Sequence, residues 1–307
     1  MSKVLVKYLR NGLVEQEHRG IVVFGSKESL SDSENDCPFY LRSCAKPLQA
    51  SLLIDYKTDE YYGLTNEEIA LCCASHAGEK IHTDIAENLL NKIGLGKTYL
   101  KCGLHKPLSK SRQKEMILSG EEENVLHNNC SGKHIMMLTI CKQKKWDLET
   151  YYKPEHPLQI AIKNKIYELC EVTCDYPFTT DGCGVPIMSM PLKNMLKGYL
   201  NLFSEYKKIK DVFLNYPYII GGEDRTDTKI IENSKNIVAK VGAGGLCIVI
   251  NTEKNEGFVV KISDCDMKAR ELVVLKILNK LNWANIKIDT SIKTLHGNNV
   301  GKIEIIL

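Results

Sequence analysis

The chain has no run of about eighteen consecutive apolar residues, which excludes a membrane-spanning helix of the usual kind. It has no basic block interleaved with aromatic residues. Its formal charge of +3 is spread along the length, so nucleic-acid binding has no support. The first residues, MSKVLVKYLRNG, hold no apolar leader segment, and the chain reads as cytoplasmic. The G-x-S-x-G elbow, H-E-x-x-H, the P-loop and G-x-G-x-x-G are all missing. The common serine-hydrolase, zinc-protease and nucleotide-binding readings therefore lose their usual signatures. There is no internal repeat and no low-complexity linker.

What is present is ordinary in bulk and unusual in detail. The 307 residues are 43% hydrophobic and 26% charged, enough for a large core in one big α/β domain or two smaller ones. Twelve cysteines are many. In a cytoplasmic chain they read as reduced thiols, and Cys72, Cys73, Cys141, Cys170 and Cys247 sit in apolar contexts that suit small buried hydrophobes. Cys130 and Cys183 stand apart, beside glycines and polar residues.

The order of elements gives the fold class. VLVKYLR and LVEQEHRGIVVFG flank Asn11-Gly12, a dipeptide suited to a type I′ hairpin turn. NIVAKVG, LCIVINT and EGFVVKIS are β-rich, MKARELVVLKILNKLNW has helical periodicity, and KIEIIL fits a last strand. The middle is helical. Ser43 fits an N-cap for a helix through Ile54 with Pro47 in its first turn, Thr65 and Glu68 form a capping box, and IHTDIAENLLNKIGLG ends on a glycine stop. The expectation is an α/β protein of the α+β type. One antiparallel sheet is built from both chain ends (roughly 1–40 and 215–307), with a helical region (roughly 41–214) inserted in a single domain.

Five segments could carry chemistry. In LRSCAKPLQA, Lys46 lies one turn after Ser43 and reaches the same face. A desolvated, neutral lysine amine could take a serine proton, but a serine at a helix start is also an ordinary cap. ASHAGE places Ser75 and His76 at a helix end. HNNCSGKH crowds polar groups before a helix, and the i,i+4 spacing of Cys130 and His134 suits two ligands of one metal or a plain polar cap. DGCGVP flanks Cys183 with glycines beside Asp181. VAKVGAGG and VVKISDCD each put a lysine, Lys240 and Lys261, near the end of a β-run, with Gly242, Gly244 and Gly245 making a tight turn.

These segments in this order, with CGLHKPLS between the second and third, resemble the rhizobial-type L-asparaginases of the asparaginase II (class 3) family, from about residue 5 to beyond 270. The resemblance implies a fold similar to serine β-lactamases and glutaminases. It implies hydrolysis of L-asparagine to aspartate and ammonia through an acyl-enzyme. Ser43 would pair with Lys46 and Ser75 with Lys261 as catalytic groups. Arg42, Asp181, His76 and Gly244 would contact substrate. Zinc would be held by Cys130, Lys133 and Cys183, which leaves His134 outside the ligand set and behind it. It also implies a homodimer, with no organic cofactor. After Lys261 the family usually carries Asp-Gly. Here it is Asp264-Cys265, so a turn requiring positive φ would hold a side chain. Two other readings stay open: a glutaminase or broader amidase on the same site, and a non-catalytic zinc- or thiol-dependent binding protein.

Overall fold

The computed structural model describes residues 2–30 and 36–307. Among the described residues ten strands appear in chain order. They are β1 (Lys3–Arg10), β2 (Leu13–Ser26), β3 (Phe39–Tyr40), β4 (Phe178–Thr180), β5 (Pro186–Met190), β6 (Ile237–Gly242), β7 (Leu246–Asn251), β8 (Glu256–Ile262), β9 (Ser291–Lys293) and β10 (Asn299–Ile305). Seven of them form one antiparallel sheet in the order β6-β7-β8-β2-β1-β10-β9. Strands from both chain ends are interleaved in it, and the central strands come from opposite ends of the sequence. The fold is α+β, as the element order predicts.

Local chemistry sets the ends of these elements. Asn11 and Gly12 both take positive φ (46° and 84°), which gives the β1–β2 turn the twist that antiparallel strands need. Thr65 and Glu68 close a reciprocal capping box at the start of the helix Asn66–Cys73. The helix Lys80–Lys92 stops just before Gly94, whose φ is +62°. One expectation fails here. The α-helix after Ser43 begins at Ala45, with Cys44 at its N-cap and no side-chain cap. Ser43 instead lies in a 3₁₀ turn, Arg42–Cys44, and its hydroxyl is free of capping duty. Helices also run on to Glu232 before β6 begins, and a small sheet, β3-β5-β4, lies within the helical region.

The two sheet faces are covered differently. A Cβ on Gly257 would meet Leu196 of the helix Leu192–Glu205, so residues 257, 259 and 261 of β8 face the helical region. Phe258 packs on Trp283, just beyond the helix Met267–Lys280, on the opposite face. Two glycines bring the layers close where side chains must meet. A Cβ on Gly242 would lie 3.1 Å from Cys44 Sγ and 3.2 Å from the Leu41 carbonyl, so the Ser43 turn sits directly against β6. A Cβ on Gly132 would lie 2.2 Å from the Leu71 carbonyl, so the helix Ser131–Lys144 presses onto the helix carrying Ser75 at its end. Among the described residues no helix is long and apolar enough to cross a membrane.

Cys265 does occupy the left-handed region, at φ 69°. A β-carbon there costs roughly 1–2 kcal/mol, and glycine would give back about 0.5–1 in backbone entropy. Cys265→Gly is therefore expected to raise the free energy of unfolding by about 0.5–1 kcal/mol in urea denaturation. A loss of stability would mean that the thiol's contacts outweigh the backbone strain.

Candidate active site

The site is assembled from three segments far apart in sequence. The turn carrying Ser43 closes through Cys44 N to the Leu41 carbonyl at 3.0 Å, with Arg42 at φ 48°, an unfavourable conformation for a side-chain-bearing residue. It is anchored from below. Cys44 Sγ donates to the Lys240 carbonyl at 3.3 Å, and Tyr199 Oη donates to the Cys44 carbonyl at 2.7 Å. Ser75 follows the end of the helix Asn66–Cys73, in extended chain held by its own N–H to the Ile220 carbonyl at 3.0 Å. Ser75 Oγ lies 3.3 Å from Ser43 Oγ. Ser75 is buried and Ser43 partly exposed, so Ser43 is the hydroxyl a small molecule reaches first.

Lys46 completes this group. It is 1% exposed, and its Nζ donates to the Asn129 carbonyl at 2.7 Å. Burial pushes its amine down to about 8. A Cys130 thiolate opposes that shift, while the charges of Lys133 and Lys240 assist it. Asn129 Nδ2 donates to Ser75 Oγ at 3.0 Å.

A second cluster abuts the first. Lys133 Nζ donates to Cys183 Sγ at 2.9 Å, and the Cys183 thiol hydrogen-bonds Cys130. That bond holds Cys130 well below the usual thiol range, against burial and with help from Lys46 and Lys133. Cys183 is raised by the same bond and by burial. Lys133 is held above the usual amine range by Cys130 and Cys183, although burial opposes it. Two thiols and an amine joined by shared protons would hold zinc only once Lys133 and Cys183 give up their protons, because the metal would take the place those protons fill. Among the described residues no three His, Cys, Asp or Glu side chains gather to hold a metal, and this set has only two such side chains, both cysteines. His134 faces away, bonding Tyr151 Oη at 2.6 Å, and its imidazole is kept neutral by burial.

The clusters are tied by Arg42, whose Nε donates to Asp181 Oδ1 at 2.9 Å. Other residues expected at the site have other partners. His76 is fully buried, with Nε2 on Ser131 Oγ at 2.9 Å and Nδ1 accepting from Gly78 N at 3.1 Å. Gly244 lies in the β6–β7 turn at φ 76°, beside Cys265. Lys261 is on the sheet face toward the helical region, but its Nζ donates to the Ile262 carbonyl at 2.6 Å, 5.5 Å above the Phe39 ring. Lys240 is fully buried beneath the Ser43 turn, 3.3 Å from Asp227 Oδ2, and close enough for its charge to act on Lys46 and Cys73. Asn129 is the residue that sequence reasoning passed over. Its presence in HNNCSGKH was visible, but no local signal marks which of two neighbouring asparagines turns toward Ser75.

Fold and site together describe a mixed α/β protein in which paired serine hydroxyls lie near a buried amine. The model of the L-asparaginase II family matches residues 6–304, and the chain belongs to that family. It is an asparaginase-type amidohydrolase, a hydrolase acting on amides. Comparison with curated proteins gives no match.

Proposed function

We propose that the protein hydrolyses the side-chain amide of L-asparagine to L-aspartate and ammonia through an acyl-enzyme on Ser43. The observation that carries this reading is the 3.3 Å contact between Ser43 and Ser75 hydroxyls beside a buried amine at about 8. A neutral Lys46, one turn from Ser43, accepts its proton as the oxygen attacks the amide carbon. The proton taken up by Lys46 passes through Ser75 to the amide nitrogen, and collapse of the tetrahedral adduct expels ammonia. Water then attacks the ester, releases aspartate and returns the proton to Ser43. Arg42 and Asp181 carry opposite charges, matching the α-carboxylate and α-ammonium of the substrate.

The resemblance gives Ser75 the partner Lys261. Lys240 is a second candidate, because it is buried on β6 beneath the Ser43 turn and its charge reaches Lys46, although its Nζ is paired with Asp227 as that of Lys261 is engaged at Ile262. Zinc, held by Cys130, Lys133 and Cys183, would supply positive charge to the amino-acid end of the substrate. Its affinity should climb with pH, because Lys133 and Cys183 must each lose a proton to bind. Competition with a chromophoric chelator should show this, and Cys183→Ser should lower the zinc content to background. Full zinc retention in that variant would remove Cys183 from the ligand set. A homodimer follows from the same resemblance and, with the cytoplasmic location read from the sequence, belongs to this proposal.

Ammonia release from L-asparagine and L-glutamine tests the activity. One methylene separates the two amides and is worth only about 1–3 kcal/mol in a fitted pocket, so asparagine should lead by roughly 10–200-fold. Equal turnover would make the protein a broader amidase, and no ammonia from a folded, zinc-loaded sample would sink the catalytic reading.

A further inference from the structure

We infer that Asn129 is the positioning residue that fixes the direction of the hydroxyl chain between the two serines. The inference rests on the serine-nucleophile reading and extends it. The side-chain amide nitrogen of asparagine can only donate. Ser75 Oγ therefore accepts from Asn129 Nδ2 at 3.0 Å and is left to direct its single proton to Ser43 Oγ at 3.3 Å. Ser43 Oγ has no other hydrogen-bond partner among the described residues, so its own proton is the one free to leave. The chain thus runs one way, from Asn129 through Ser75 to Ser43, and the proton that Ser75 donates stabilises negative charge on Ser43 Oγ as its own proton leaves.

The same residue reaches the base by its main chain, since the Asn129 carbonyl accepts from Lys46 Nζ at 2.7 Å. One short segment therefore registers Ser75 and Lys46 against each other. Its neighbour builds the segment rather than the site. Asn128 Oδ1 accepts from Cys130 N at 2.8 Å, and Asn128 Nδ2 donates to the carbonyls of Cys102 and Gly103 at 2.9 and 3.0 Å. With the loop held that way, the Asn129 side chain has no structural duty beyond Ser75.

The two functions of Asn129 separate by mutation, because any residue keeps the carbonyl that holds Lys46. Asn129→Ala removes the donor. Asn129→Asp replaces it with an acceptor, which turns the Ser75 proton away from Ser43. The experiment compares both variants with the wild-type holoenzyme for kcat and KM on L-asparagine. It adds zinc content, the urea midpoint, and peptide mapping after treatment with a diazoketone analogue of asparagine. The expected result is a kcat lower by on the order of 100-fold with KM little changed, unchanged zinc and midpoint, and label moving from Ser43 toward Ser75 in Asn129→Asp. Both variants retaining kcat within about threefold, with Ser43 still the labelled residue, would overturn the inference alone. Wild-type label on neither serine, in an enzyme that releases ammonia, would overturn the nucleophile reading and this inference with it.

Discussion

Ser43→Ala is expected to lower ammonia release from L-asparagine by on the order of 10⁴-fold or more, with little change in stability. The oxygen it removes is the only accessible one of the hydroxyl pair, and it caps no helix. Nothing structural is lost with it except the 3.3 Å contact from Ser75. Ser75→Ala should cost less, about 100-fold, because it takes away a proton relay and leaves the attacking oxygen in place. The ordering of the two variants matters more than either value. If Ser75→Ala were the dead enzyme and Ser43→Ala the impaired one, the roles would be reversed and the hydroxyl chain would have to run the other way.

The second large effect falls on Lys46. Lys46→Met keeps the length of the side chain and removes the base, so kcat/KM should fall by about 10³-fold or more. In the parent enzyme kcat/KM should rise with pH through about 8, since the amine works only when neutral. The rise should vanish in the variant. On substitution of Lys46, stability should move in the opposite direction to activity. An amine lowered from 10.5 to about 8 by burial is protonated in the unfolded chain and not in the folded one between those values. Stability linked to it therefore increases as pH climbs from about 8 to 10.5, and at neutral pH the buried charge costs on the order of 3 kcal/mol. Removing it orphans the Asn129 carbonyl, at about 1–2 kcal/mol, so a net gain near 1 kcal/mol is expected at pH 7. A catalytically dead variant that is no less stable is the mark of a residue kept for function. A variant that loses both activity and several kcal/mol would mean that Lys46 is a structural strut.

The parts of this account that could be read from sequence are local ones. The Asn11-Gly12 turn, the Thr65–Glu68 capping box and the helix over 267–280 each depend on chemistry within a few residues. The spacing of Ser43 and Lys46 is of the same kind, although the Lys46 amine bonds the Asn129 carbonyl rather than Ser43. The meeting of Ser43 with Ser75, and of Lys46 with Asn129, spans 32 and 83 residues and depends on two glycine approaches that no spacing reveals. The two strand lysines show the limit most sharply. Lys240 and Lys261 stand in similar β-runs, and alternation puts both on the face toward the helical region. Their difference comes from register and edge. Gly242 pairs through Leu246 to Lys261, which places Lys261 two strands from the Ser43 turn, while Lys240 lies directly beneath it. The small sheet was hidden for another reason. Every residue of β5 is buried, so it shows no alternation to read.

The most direct test of the central claim is the identity of the acylated residue during turnover. Wild-type enzyme mixed with L-asparagine, quenched in acid and mapped by peptide mass, should carry an aspartyl ester on Ser43. An ester on Ser75, or none on either serine while ammonia accumulates, would contradict the account.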